Sequence, residues 1–267
     1  MLRNLKVLRK AISHLGCPDI ICPSPCIQEF INGALSTATF SLVLLVSISG
    51  CISAQAQLPC QGTGFCVNTT TDSPDTNPGD GDCATGLGQC SIRAAIEEAT
   101  ALGGSQRIVL SSQPFPYRIA EQLEVKSGSI TIEGHTIPSM PIIEPTSNSK
   151  GKHRILYVPQ AVSVTLRNVI VRRGYPPKSH DGGGIFNEGT LLLDGCIIAE
   201  NSTDDKSSGG GIFNTGTLTL TSSVVRDNGF PVVSSQSFTR MGGGIHHKNG
   251  VLKIQDSEIV GNRAEES

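Results

Sequence analysis

Three segments of the chain open with nearly the same words: Gly182-Gly183-Gly184-Ile185-Phe186-Asn187, Gly209-Gly210-Gly211-Ile212-Phe213-Asn214 and Gly242-Gly243-Gly244-Ile245-His246-His247. Their offsets are 27 and 33 residues, and an inserted loop around Phe230 to Arg240 accounts for the longer one. Self-similarity at such a period is the signature of stacked repeats rather than of a globule with a unique core. Each segment runs on through a glycine (Gly189, Gly216, Gly250) into an alternating strand. An asparagine then falls eleven residues after the strand's first residue, at Asn201, Asn228 and Asn262.

Aligned on these landmarks, the alternate positions are Leu191, Leu193, Cys196 and Ile198; Leu218, Leu220, Ser223 and Val225; Leu252, Ile254, Ser257 and Ile259. A diverged earlier turn supplies Val164, Leu166, Val169 and Val171. Alternation of period two puts these side chains on one face of short strands, and stacking lays like upon like. One turn cannot bury that face alone. Stacked, each rung buries about four or five aliphatic groups at roughly 1.5–3 kcal/mol each, so stability comes from several neighbouring rungs. The expected fold is therefore all-β, a right-handed parallel β-helix, and composition agrees: 30 Gly, 15 Pro, no Trp and 16% charged residues suit a turn-rich solenoid.

The glycine triplets fit this geometry, because a coil that turns sharply needs residues free to take positive φ or to let backbones approach. A phosphate-binding loop would need Lys-Ser/Thr after the glycines and a helix behind them, and the sequence provides neither. The recurring Asn201, Asn228 and Asn262 are expected to be corner residues that tolerate the left-handed region and stack on one another.

Ahead of the repeats, Ile92, Ala95, Ile96, Ala99 and Leu102 recur at helical spacing. Ser91 is placed to cap the helix and Gly103-Gly104 to stop it. Such a helix would cover the open apolar end of the first rung. The cap motif Cys90-Ser91-Ile92-Arg93-Ala94-Ala95, followed by the Gly-Gly-Gly-Ile-x-Asn repeats, resembles a family of exported microbial proteins. These carry a Cys-Ser-Leu-Arg-Glu-Ala-type cap, polymorphic-outer-membrane-protein-like repeats and a pectin-lyase-like β-helix. The motif departs at Ile92 and Ala94, and the resemblance spans roughly residues 67 to 267. It implies fold and export, with adhesin-like roles, and says little about chemistry.

Nine cysteines, four of them (Cys60, Cys66, Cys83, Cys90) within 31 residues, favour an oxidising compartment. Of the three pairings these four permit, Cys60 with Cys66 and Cys83 with Cys90 close short local loops. Residues 34 to 49 form an apolar stretch that fits a signal-peptide core. Two exits follow it: Ile48-Ser49-Gly50-Cys51, a lipoprotein-like box that would put a lipid anchor on Cys51, and Ala54-Gln55-Ala56, a small-x-small cleavage site. The expected organisation is an N-terminal extension and signal over 1–56, a cysteine-containing cap with its helix over 57–105, and the β-helix over 106–267. Ser267 lies 25 residues after Gly242, near where another triplet would begin, and no C-terminal cap is visible. Continuation of the solenoid, or self-association through the open rung, is the expectation.

For function, a formal net charge of −2 and the lack of any Lys or Arg between Lys10 and Arg93 give no nucleic-acid footprint. No cofactor motif is present. One enzyme candidate emerges from the alignment: Arg173, Glu200 and Asp227 occupy equivalent places on successive turns. Neighbouring strands lie about 4.8 Å apart, compatible with the carboxyl spacing of retaining glycosidases, so a polysaccharide lyase or hydrolase acting on a pectin-like polymer is the alternative reading. Exposed corner charges that simply pair across rungs are the plainer account. Sugar clefts use aromatic platforms, and the tyrosines are only Tyr117, Tyr157 and Tyr175. Asp72, Asp75, Asp80 and Asp82 lie in a Gly/Pro/Asn-rich loop and are weak calcium candidates, since their spacing matches no EF-hand and a solvated acidic loop is the plainer account. His246 and His247 are adjacent in a strand and so face opposite ways. Cys196 falls inward, as a buried free thiol. The leading expectation is a secreted or cell-surface protein, non-enzymatic, that binds carbohydrate or host surfaces.

Overall fold

The computed structural model describes residues 63–111, 116–135, 139–146, 153–204, 207–229 and 241–264. The apolar segment 34–49, the exits at Cys51 and Ala54 to Ala56, Cys60 and the insertion at 230–240 lie outside them. In chain order the elements are β1 (Phe65–Val67), α1 (Ile92–Leu102), β2 (Ser105–Leu110), β3 (Tyr117–Ile119), β4 (Leu123–Glu124), β5 (Ser129–Gly134) and β6 (Ile142–Pro145). Then come β7 (Leu156–Val158), β8 (Ser163–Arg167), β9 (Ile170–Arg172), β10 (Ile185–Asn187), β11 (Thr190–Asp194) and β12 (Ile197–Ala199). The last are β13 (Ile212–Asn214), β14 (Thr217–Thr221), β15 (Val224–Arg226), β16 (Ile245–His247), β17 (Val251–Gln255) and β18 (Glu258–Val260).

These strands form three sheets. The first runs β1-β2-β5-β8-β11-β14-β17, the second β4-β7-β10-β13-β16 and the third β3-β6-β9-β12-β15-β18. Consecutive strands step through the second, first and third sheets and repeat, and every strand pairing is parallel. The fold is a parallel β-helix of five full coils after a partial one made of β2 and β3.

The expected register holds. Val164, Leu191, Leu218 and Leu252 are direct partners across rungs, as are Leu166, Leu193, Leu220 and Ile254. In the third sheet Val171, Ile198, Val225 and Ile259 follow suit. The two inward columns of the first sheet extend further than the repeats betray, back to Ile130 and Ile132 of β5. Coverage by a neighbouring coil makes the difference along each column: Leu193 and Leu220 are fully buried, whereas Ile254 and Ile259 on the fifth coil are about half exposed.

At the other end α1 packs against β1, β2, β4 and β5. Its cap is as expected: the Ala94 N–H donates to Ser91 Oγ at 3.0 Å, and Gly103 (φ 68°) ends it. Ile92, Ala95, Ile96 and Ala99 are buried, but Leu102 is 44% exposed, while Ala94 and the carboxylate of Glu98 are fully buried. The helix has two covered sides because the loop of residues 72–82 folds over it, with the Gly79 and Gly81 N–H groups donating to Glu98. An unforeseen strand, β1, completes the cap by pairing with β2.

The corners depart from expectation in an instructive way. The left-handed residue is the one before each asparagine, Glu200 (φ 56°), Asp227 (φ 54°) and Gly261 (φ 66°), and Arg173 (φ 61°) takes the same conformation ahead of Gly174. The asparagines are buried and do form a ladder, with Asn201 Nδ2 donating to Asn228 Oδ1 and Asn228 Nδ2 to Asn262 Oδ1, each 2.9 Å. Turning the chain at the preceding residue aims the amide inward, where it also satisfies Val171, Ile198 and Val225 carbonyls. A second ladder runs from Asn187 through Asn214 to His247. In the glycine triplets only the first residue has positive φ (Gly182 at 73°, Gly209 at 70°). The second is a close-approach residue, since a Cβ on Gly183 would sit 2.1 Å from the Gly210 carbonyl oxygen of the next coil.

Candidate functional site

The corner column singled out as an enzyme candidate is assembled but occupied. Arg173 Nε lies 3.0 Å from Glu200 Oε2, and Arg226 pairs with Asp227. Arg173 also reaches Glu144, a buried carboxylate that Arg118 and Arg172 engage from either side, at 3.4 and 2.8 Å. Each acid of the column thus has its own arginine at an exposed corner. The Arg173–Glu200 pair crosses rungs, whereas Asp227 pairs with its sequence neighbour Arg226, and both are exposed.

The acidic loop is largely committed too, although the buried Asp75 Oδ2 has no hydrogen-bond partner. Asp72 takes both its oxygens to Arg93 at 2.8 Å and accepts the Ala120 N–H. Asp75 Oδ1 accepts from Asn77 N, and Asp80 accepts from Asp82 N and Asn77 Nδ2, which holds the Asp80 carboxyl below the usual carboxylate range. Asp82 stands at the exposed end of the same turn. No three metal-ligating side chains converge among the described residues. These carboxylates build the turn instead of facing a shared ion.

Of the expected disulfides, Cys83–Cys90 is formed. Cys66 is disulfide-bonded as well, and its expected partner Cys60 lies outside the described residues. Cys196 is a free thiol, 1% exposed, whose burial pushes its pKa up to about 11.

A different surface gathers chemistry: the outer face of the second sheet. Its strands pair so that Glu124, Tyr157, Phe186, Phe213 and His246 fall in one outward column. Along the axis Tyr157 stacks on Phe186 at 5.5 Å, Phe186 meets Phe213 edge to face at 5.3 Å and Phe213 stacks on His246 at 5.0 Å between centroids. His246 and His247 therefore part as expected, one to this outer stack and the other inward to the asparagine ladder. Partial burial in the stack lowers the His246 pKa from its ordinary value.

Beside this column lies a hollow of about 330 Å³ lined by Gln122, His153, Arg154, Tyr157, Pro176, Pro177 and His180. The Arg154 guanidinium sits 4.9 Å above the Phe186 ring. Arg154 is 8% exposed and its Nε has no hydrogen-bond partner, nor has the buried Nε2 of His153. Burial draws the Arg154 pKa down, against the opposing pull of Asp181, Tyr157 and Glu188. Tyr157 donates its hydroxyl to Glu188, and that bond, with burial, raises its pKa to about 12. Gln122 lines this hollow and also a second one, of about 570 Å³, between α1 and β4, so the two adjoin.

Counting tyrosines alone understated the aromatic surface. Phe186 and Phe213 occupy the same place in two Gly-Gly-Gly-Ile-Phe-Asn words, between inward isoleucine and asparagine, so period two already turns them outward. Arg154 carries no comparable signal, because it precedes β7 in an unrepeated stretch. No family model, curated protein or solved structure matches the chain.

Proposed function

We propose that this protein is a secreted or cell-surface β-helix that binds carbohydrate without turning it over. The observation that carries this reading is the stacked column of Tyr157, Phe186 and Phe213 beside two adjoining hollows. The half-buried Tyr157 and Phe186 offer apolar surface to a sugar ring beside the hollows, while Phe213 is buried, and a sheet holds such side chains with little conformational freedom to lose. The Cys83–Cys90 disulfide supports export to an oxidising compartment. Glu200 and Asp227, each held by an arginine, favour binding over hydrolysis. Attachment through a lipid on Cys51, or self-association through β16, β17 and β18, belongs to the same proposal. The deciding experiment exposes the full chain to a glycan array and, in parallel, assays product release from pectin and alginate with Glu200→Ala and Asp227→Ala controls. Retention of glycans with no released product is the expected result. Turnover abolished by either substitution would establish the enzyme reading in its place.

A further inference from the structure

We infer that Asn249 is a site of spontaneous covalent modification, at which the Gly250 nitrogen closes on the asparagine side chain and the amide becomes aspartate or isoaspartate. An asparagine followed by glycine permits this ring closure because glycine has no side chain to obstruct it and holds its backbone loosely. In a folded chain two further conditions apply: the side-chain amide has to be free to move, and the N–H that follows must not be held by an acceptor. Among the described residues one Asx-Gly pair meets both. In Asp80-Gly81, Asp181-Gly182 and Asp194-Gly195 the glycine N–H donates to Glu98, Ser208 O and Thr221 O. In Asn228-Gly229 the Gly229 N–H donates to Asn201 O at 2.9 Å, and the asparagine amide is buried in its ladder. Asn249 and Gly250 are both exposed, and neither the Asn249 amide nor the Gly250 N–H has a hydrogen-bond partner among the described residues.

The repeat accounts for the difference. Glu188-Gly189 and Thr215-Gly216 make the same turn in the third and fourth coils, and there the glycine N–H donates to Val158 O and Asn187 O. The fifth coil makes it with Lys248-Asn249-Gly250, one residue more. Lys248 N–H still donates to Asn214 O, so the added residue takes the glycine N–H out of the ladder and sets an asparagine before it. Water is the only co-reactant. The Gly250 nitrogen loses its proton and bonds to Asn249 Cγ, ammonia leaves, and the succinimide that results is opened by water at either carbonyl. One opening gives aspartate. The other routes the main chain through the former side chain and adds a methylene to the backbone. That methylene has no room, because the Gly250 backbone runs so near the fourth coil that a Cβ there would stand 2.0 Å from Gly216 O. The isoaspartyl turn therefore loosens Val251 from its partner Thr217.

The test holds the full folded chain in mildly alkaline buffer and follows both asparagines by peptide mapping and mass spectrometry. Asn249 should convert at least about tenfold faster than Asn228, which must first give up its ladder bonds. In urea, where both pairs are free, the two rates should converge. Equal rates in the folded protein, or an Asn249 that stays unconverted, would overturn the inference. Asn249→Gln should show no conversion at that position. Hydrogen exchange of the converted protein should be faster in β17 than in the parent. Asn249→Asp, which adds the charge without the methylene, should keep the parent's exchange. Equal loosening in Asn249→Asp would overturn the backbone account and leave the modification standing.

Discussion

Left-handed backbone at a residue with a side chain costs about 1–2 kcal/mol, and the corners of this solenoid accept that cost at Arg173, Glu200 and Asp227. At Glu200 and Asp227 what offsets it is the asparagine that follows, whose amide closes hydrogen bonds to two neighbouring coils; after Arg173 the Gly174 N–H donates to Asn201 Oδ1. Two predictions belong to this scale. At position 200, Glu200→Gly should leave stability within about 1 kcal/mol of the parent, since relief of φ strain balances an exposed ion pair and added chain entropy. Glu200→Val should instead destabilise by about 1–2 kcal/mol, because a β-branched residue suits that φ worst. Urea melts of the two variants check the ordering. Replacing Asn228 with alanine should be more severe. Its Oδ1 accepts from Asn201 N and Nδ2 and its own Nδ2 donates to Ile198 O, so the buried groups left unpaired cost roughly 1–3 kcal/mol each. The positions of these asparagines were legible from the repeat alone. Which residue of the corner turns left-handed was less plain, because glutamate and arginine give no local sign of positive φ and only Gly261, at the same place in the last repeat, does.

Among the elements, α1 was the most completely legible, with its cap, apolar stripe and glycine stop all written in consecutive residues. The loop that covers its other side was not, because the Asp-rich segment reads as solvated until Asp72 meets Arg93 and Glu98 meets the glycine N–H groups. Those partners stand 17 to 21 residues apart, beyond any local pattern. The Arg93–Asp72 pair has side chains only 18% and 4% exposed. Arg93→Ala should therefore cost about 2–4 kcal/mol, somewhat below a fully buried pair because Arg93 keeps some solvent. Thermal unfolding of the variant, with proteolysis mapped to residues 72–82, measures it. A melting temperature unchanged within error would show that the loop is held by Glu98 alone.

At the scale of the whole molecule, stability is a sum over coils and their interfaces, so different coils open at different free energies. The fifth coil has the exposed inward residues Ile254 and Ile259, and it carries His246 against Phe213. Burial lowers the His246 pKa, Lys248 and His247 add to the effect, and Asp181 opposes it. A group whose folded pKa is depressed contributes stability that is present above its unfolded value of 6.5 and is lost as pH falls through the folded value. Acidification below 6.5 should accordingly speed amide exchange in β16 while β10 keeps its protection. His246→Phe, which preserves the stack without titrating, should remove that pH dependence. Hydrogen exchange at two pH values reads both.

The sequence by itself determined the coil. A hydrophobic period of two inside a repeat of about 27 residues leaves stacking as the one way to bury every rung, and the triplets and asparagines mark where each rung turns. Tertiary structure decided what the outer surface became. The ring column takes shape only when Tyr157, Phe186, Phe213 and His246, 27 to 33 residues apart in the chain, are brought about 5 Å apart by the register. Arg154 meets Phe186 only because folding buries it over that ring. Burial within a repeat is a local property that composition and spacing encode, whereas a site depends on which exposed residues are made neighbours, and that the stacking of coils alone supplies.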